Sequence, residues 1–196
     1  EELLSRVRDL IDIVEVGTPV ILREGVGAVR RLHAAFPGLR ILADLKIADG
    51  GRYEAGLAFE AGATLVTVLA TAADETIAAA VLAADENAGE VMVDLIGMSD
   101  RKGVLRAERS LARRAVEVEG LGARWVCVHT AVDVRAGGGP VTGSAVRGLR
   151  AVQGALRSAG TAVAGGISPD NAAPLAGLAP GIVIAGSSIT GAADPR

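Results

Sequence analysis

Seven short, β-branched segments that are nearly all apolar recur along the chain: Ile11–Val16, Ile41–Asp44, Thr64–Leu69, Glu90–Leu95, Trp125–His129, Ala162–Ala164 and Gly181–Ala185. Strands apolar on both faces belong to a sheet covered by helices on both sides. Between them lie Gly25–Ala35, Tyr53–Ala61, Asp74–Glu86, Arg106–Gly120, Ser144–Ser158 and Asp170–Leu178, rich in Ala, Leu, Arg and Glu at helical spacing. A βα repeat of roughly 20 to 30 residues predicts an α/β fold. It is either a (β/α)8 TIM barrel with one strand unaccounted for or an open doubly wound sheet. No linker or low-complexity tract interrupts residues 1–196, so the chain reads as a single barrel domain, incomplete at its N-terminus. The opening Glu1-Glu2-Leu3-Leu4-Ser5-Arg6-Val7 reads as a helix, and the chain has no initiator Met. A barrel without its first strand would have two open edges, which proteins normally avoid. The expectation is therefore that this strand is truncated or disordered.

A chain of 196 residues is long enough for one α/β domain with a substantial core. Two Phe, one Tyr and one Trp leave that core to small aliphatic layers, as in parallel barrels. The net charge of −3, without a basic block, argues against nucleic-acid binding. It leaves room for an anionic substrate, because backbone amides can hold a phosphate. The single Cys127 cannot form an internal disulfide, which fits a reducing cytoplasm. Its setting, Trp125-Val126-Cys127-Val128, marks it as a buried apolar residue. No run of about 18 apolar residues predicts a membrane span, and no signal peptide is recognisable.

Chemistry concentrates at the strand ends. Asp44-Leu45-Lys46-Ile47-Ala48-Asp49 closes the apolar run Leu39 to Ala43 and is followed by Gly50-Gly51. In parallel α/β folds the carboxyl ends of the strands are where ligands bind. Strand alternation predicts Asp44 and Lys46 on one side, with Asp49 in or near the following turn. Glu15, Thr67 or Thr71, Asp94 and His129-Thr130 stand at the ends of other strands, with Asp133 just beyond. Glu15 and Asp44 are hard oxygen donors with no cysteine or histidine cluster nearby, a set suited to Mg2+ or Mn2+ rather than zinc. Asp94 could also cap the next helix. His129, directly after a strand, is the general acid/base candidate, whereas His33 falls on a predicted helix as a surface or packing residue. Gly165-Gly166 and Gly186-Ser187 follow the last two strands and lead toward helix starts. Phosphate binding by the loops after strands seven and eight is a recurrent barrel feature. With the first strand missing, these loops would be seven and eight.

These residues resemble the orotidine-5'-phosphate decarboxylase superfamily, whose signature is Asp-x-Lys-x-x-Asp at the end of a barrel strand. Within it the chain is most similar to the 3-hexulose-6-phosphate synthase branch. The likeness runs from about Asp12 to the C-terminus. It takes in Ile13–Pro19, Asp44–Asp49, Tyr53-Glu54-Ala55, Val66–Leu69, Val91–Gly97, Val126–Thr130, Ala164–Ile167 and Ile189–Ala192. The resemblance implies a Mg2+-dependent aldol addition of formaldehyde to D-ribulose 5-phosphate, through an enediolate. Glu15 and Asp44 would bind the metal, Lys46 would stabilise oxyanion charge and His129 would shuttle the proton, with Asp94 also in the site. Gly165, Gly166, Gly186 and Ser187 would hold the phosphate. Asp49 would reach into a partner's site, which implies a homodimer with shared active sites. The nearest alternative is 3-keto-L-gulonate-6-phosphate decarboxylase. That branch carries a glutamate near Asp94, an arginine shortly after the His129 position and an arginine where Ser187 stands. A sugar-phosphate-binding barrel without catalysis is the alternative of another class, because the aspartate that family members carry on the first strand has no counterpart here.

Overall fold

The computed structural model describes residues 1–98, 104–135 and 142–196. Seven strands among them form one sheet: β1 (Ile13–Val16), β2 (Arg40–Ile47), β3 (Leu65–Leu69), β4 (Glu90–Asp94), β5 (Trp125–His129), β6 (Gly160–Ala164) and β7 (Ile182–Ile184). The sheet order is β1-β2-β3-β4-β5-β6-β7. The registered pairs β1–β2, β2–β3, β5–β6 and β6–β7 are all parallel. A strictly sequential parallel order is the winding of a (β/α)8 barrel, whereas a doubly wound sheet reverses its order part-way. Of the two expected architectures, the barrel winding is the one found.

The chain divides into two compact units, residues 1–93 with 121–123 and 196, and residues 94–120 with 124–195. In the first unit, α1 (Glu2–Val7) and a 3-10 turn (Arg8–Leu10) precede β1. Then α2 (Thr18–Glu24) and α3 (Gly27–Ala35) follow β1, α4 (Gly51–Glu60) follows β2, and α5 (Asp74–Glu86) follows β3. Ile41, Leu65, Val66 and Val68 are fully buried, and so are Ala55 and Ala58 of α4 and Ala80 of α5. In α5 the buried Ile77, Ala80 and Ala84 recur at i, i+3 and i+7, one stripe of a helix. His33 lies on α3 as expected, against Gly62, where any Cβ would collide with its ring.

In the second unit, α6 (Val104–Gly120) precedes β5, α7 (Val132–Arg135) and α8 (Thr142–Ala155) follow it, and α9 (Pro169–Ala176) and α10 (Ser187–Thr190) follow β6 and β7. Cys127 is 2% exposed on β5, the buried setting expected of it. Among the described residues no helix is long and apolar enough to cross a membrane.

Three helices depart from the expected pattern: α2, α7 and α10. No residue of α2 is buried, so apolar periodicity could not mark it. Its signals are local, with Pro19 in the first turn and Gly25 ending it at φ 63°. In α7, Val132 and Val134 are exposed, and α10 spans only four residues.

Glu119, near the end of α6, fastens the turn that leads into β6. Its carboxylate accepts from the backbone N–H groups of Arg157 (3.0 Å), Ser158 (2.7 Å) and Ala159 (2.8 Å), and from Ser158 Oγ (3.1 Å). The Ala159 and Ser158 amides, against a small opposing effect of burial, hold its pKa down to about 2 from the ordinary 4.5. A carboxyl with a depressed folded pKa stabilises the fold above its unfolded pKa and loses that contribution as pH falls through the folded value. Glu119→Gln is therefore expected to lower Tm at pH 7, with the gap to the parent closing between about pH 4.5 and 2. Thermal melts followed by circular dichroism check this, and a gap independent of pH would refute it.

Candidate active site

Asp44 stands at the centre of the first unit's polar cluster. It is 6% exposed and lies in the second half of β2, which runs on to Ile47. Thr67 Oγ1 donates to Asp44 Oδ1 at 2.8 Å. Lys46 Nζ donates to Oδ2 at 2.5 Å, and Thr18 Oγ1 lies 2.8 Å from the same oxygen. Thr18 Oγ1 is also 3.2 Å from Lys46 Nζ, so the hydroxyl bridges acid and base. Burial alone would raise the Asp44 pKa; the Lys46 ammonium and the two threonine hydroxyls outweigh it and hold the carboxyl below its ordinary range. The pair is a pre-formed anion and cation at the end of a strand.

Asp44 and Lys46 do meet, but not by plain strand alternation. Ala43 pairs with Val66 and Ile47 with Val68. Between those pairs β2 carries Asp44, Leu45 and Lys46, while β3 carries Thr67 alone. This is a β-bulge, and Lys46 passes through it at φ 50°. Glu15 pairs in register with Leu42 on β2. Paired residues of adjacent strands, and residues two apart on one strand, share a face, so Glu15 and Asp44 lie on one face of the sheet. Asp49 lies in the turn after β2, as expected, exposed, with Oδ1 accepting from Gly50 N at 2.7 Å.

In the second unit Asp94 and His129 form a pair. Asp94 is 2% exposed, and its Oδ2 is 2.8 Å from His129 Nδ1. Its Oδ1 accepts from Ile96 N at 2.9 Å. A carboxylate can only accept, so Nδ1 carries the proton and Nε2 is the nitrogen left for proton exchange. The sequence offered Asp94 as a possible helix cap; it holds the turn amide of Ile96 and orients His129 as well.

The two glycine loops are joined by Ser188 Oγ, which donates to Ile167 O at 2.7 Å. Asn171 braces the first loop, donating to Gly166 O at 2.9 Å and accepting from Ser168 N at 2.9 Å within a capping box. Gly165 has a packing reason to be glycine: at φ 101°, a Cβ there would collide with the Thr130 carbonyl oxygen. Around Gly186 a Cβ would meet nothing within 4 Å.

Sequence reasoning gave Thr18 no role and left Thr67 interchangeable with Thr71. The signal for Thr67 was present, a polar residue inside the apolar run Leu65–Leu69. Among the described residues no three His, Cys, Asp or Glu side chains cluster as a ready-made metal site. Glu15 and Asp44 still suit a hard divalent ion. They offer carboxyl oxygens from one face of adjacent strands, and Mg2+ takes one or two carboxylates and completes its shell with water and substrate.

Residues 1–196 match the model of the orotidine 5'-phosphate decarboxylase / HUMPS family. The chain belongs to this family. Among its curated relatives is the 3-hexulose-6-phosphate synthase of Bacillus subtilis, 40% identical over 193 residues, covering 98% of this chain and 85% of the relative. The solved 3-hexulose-6-phosphate synthase from Salmonella typhimurium has 40% identity and a TM-score of 0.88, over 99% of this chain and 85% of that one. The 3-keto-L-gulonate-6-phosphate decarboxylase of Vibrio cholerae is more distant, with 29% identity and a TM-score of 0.81 over 98% and 84%. This likeness to family structures confirms the (β/α)8 TIM-barrel fold class.

Proposed function

We propose that this chain is a 3-hexulose-6-phosphate synthase, a lyase that joins formaldehyde to D-ribulose 5-phosphate to give D-arabino-hex-3-ulose 6-phosphate. The observation that carries this reading is the 40% identity to synthases along nearly the whole chain. Asp94 supports it. Both of its oxygens are engaged, on His129 and on Ile96 N, whereas the decarboxylase branch carries a longer glutamate near this position.

In this reading the backbone around Gly166, Gly186 and Ser187 holds the substrate phosphate, in loops kept together by Ser188. Glu15 and Asp44 hold Mg2+, with Mn2+ as a substitute, and the metal supplies Lewis-acid polarisation of the substrate's oxygens. His129 Nε2 takes the proton from C1 of ribulose 5-phosphate, leaving an enediolate. Lys46 offsets the negative charge that develops on the substrate's oxygens. The enediolate carbon then bonds to the carbon of formaldehyde, and the resulting alkoxide takes up a proton. Asp49, exposed in the turn beyond β2, serves the site of a second copy in a homodimer. A phosphorylated sugar substrate fits an enzyme of the cytoplasm.

The test is formaldehyde consumption with ribulose 5-phosphate, with and without Mg2+. We expect loss of formaldehyde that needs both the sugar phosphate and the metal, and that chelation abolishes. No metal-dependent loss would overturn the assignment. Release of CO2 from 3-keto-L-gulonate 6-phosphate would transfer it to the decarboxylase branch.

A further inference from the structure

Thr67 is 3% exposed, and its hydroxyl makes two contacts of opposite sense. Lys46 N donates to Thr67 Oγ1 at 2.9 Å, and Thr67 Oγ1 donates to Asp44 Oδ1 at 2.8 Å. A hydroxyl has one proton to give. The amide brings its own, so the hydroxyl proton goes to the carboxylate and the direction of the chain is fixed: Lys46 N–H to Thr67 O–H to Asp44.

The position of this contact matters. Three residues of β2, Asp44 to Lys46, lie opposite a single residue of β3, and that residue is Thr67. One side chain therefore grips both ends of the bulge. Lys46 sits there at φ 50°, a conformation that residues bearing a Cβ rarely adopt. It persists only where the surroundings over-determine it, and the bond from its own N–H to Thr67 is such a constraint. Thr18 grips the opposite side, bridging Asp44 Oδ2 and Lys46 Nζ.

We infer that Thr67 is a positioning residue: its hydroxyl clamps the β2 bulge so that Asp44 and Lys46 meet as a pair aimed at the substrate. The inference rests on reading that pair as catalytic. The clamp acts on the Asp44–Lys46 pair and touches none of the glycine loops assigned to phosphate binding. Thr67→Val keeps the shape and the β-branch and removes both hydrogen bonds. Thr67→Ser keeps both.

The experiment measures steady-state kinetics and the 1H–15N spectrum of the parent and both variants. For Thr67→Val we expect kcat to fall about tenfold or more, the loss of roughly one charge-assisted hydrogen bond, with KM for ribulose 5-phosphate within about twofold. The Lys46 amide should shift upfield and lose protection from hydrogen exchange. Thr67→Ser should restore both readouts. Should the valine variant not fold, Thr67→Cys, with a weak thiol donor, is expected to give intermediate values. An unchanged Lys46 amide, or a kcat loss that serine does not restore, overturns the inference. A parent protein that consumes no formaldehyde counts against the proposed activity instead, and the Lys46 amide still reads the clamp.

Discussion

Replacing Asp44 with asparagine is expected to lower turnover at least about a thousandfold and to destabilise the fold by about 3 kcal/mol. The reason is the polarity of the contacts that converge on this carboxylate. Lys46 Nζ, Thr18 N and Thr67 Oγ1 all aim hydrogens at it, the first two on Oδ2 and the third on Oδ1, and Thr18 Oγ1 lies 2.8 Å from Oδ2. A carboxylate accepts at both oxygens, but an amide accepts at one end and donates at the other. Either orientation of the asparagine side chain turns an N–H2 toward a donor. The ammonium 2.5 Å away also loses its counter-charge while 23% of its side chain remains exposed. Removing one partner of a buried pair costs about 3–5 kcal/mol, and partial exposure of Lys46 places this case at the low end. Urea denaturation reads the stability and formaldehyde consumption reads the turnover. Turnover within tenfold of the parent would exclude Asp44 from the chemistry.

The pH dependence follows from the same contacts. The folded pKa of Asp44 lies below its ordinary 3.8. The pair's contribution is thus fully present above that ordinary value and is lost as pH falls through the depressed folded one. At neutral pH the parent should carry the full contribution of the pair, and Asp44→Asn none of it. The stability gap between the two should narrow only below about pH 3.8.

Asp44, Lys46, Asp94 and His129 are legible in the sequence because each interrupts or ends an apolar run, and a strand buried on both faces has no other place for a charge. The element positions are legible from the apolar pattern: β5 spans Trp125–His129 and α5 spans Asp74–Glu86, as that pattern predicts. The pairings are less legible. Asp94 and His129 are 35 residues apart in sequence, and Asp94 and Ile96 close enough that a local cap was the simpler reading. The bulge is hidden because Asp-Leu-Lys looks like ordinary alternation. Only the register against β3 shows three residues opposite one. Thr18 is hidden because its helix buries no residue, so its role comes entirely from where the chain returns beside β2. Gly165 illustrates the converse, a residue legible as important whose immediate neighbour, the Thr130 backbone, gives it a packing role that composition could not reveal.

Asp94→Asn is expected to lower kcat by about 10²–10⁴-fold, close to the loss from His129→Ala, although the histidine is retained. Asp94 Oδ1 accepts from the Ile96 amide, and an asparagine will keep its carbonyl oxygen there to satisfy that N–H. The side-chain N–H2 then faces His129 Nδ1, where the carboxylate stood at 2.8 Å. Two donors cannot share that contact, so Nδ1 must give up its proton and Nε2 must hold it. The nitrogen assigned to take the proton from C1 is then already protonated. Fold and packing should change little, because aspartate and asparagine have the same shape. The ring tautomer is directly measurable: in the parent the 15N signal of Nδ1 should be the protonated one, and in Asp94→Asn the protonated signal should move to Nε2. The double variant Asp94→Asn/His129→Ala should be no slower than His129→Ala alone, since the carboxylate acts through the ring it orients. Independent, additive losses would show that Asp94 contributes by some route other than His129. A normal kcat in Asp94→Asn with the tautomer exchanged would remove His129 Nε2 from the proton transfer.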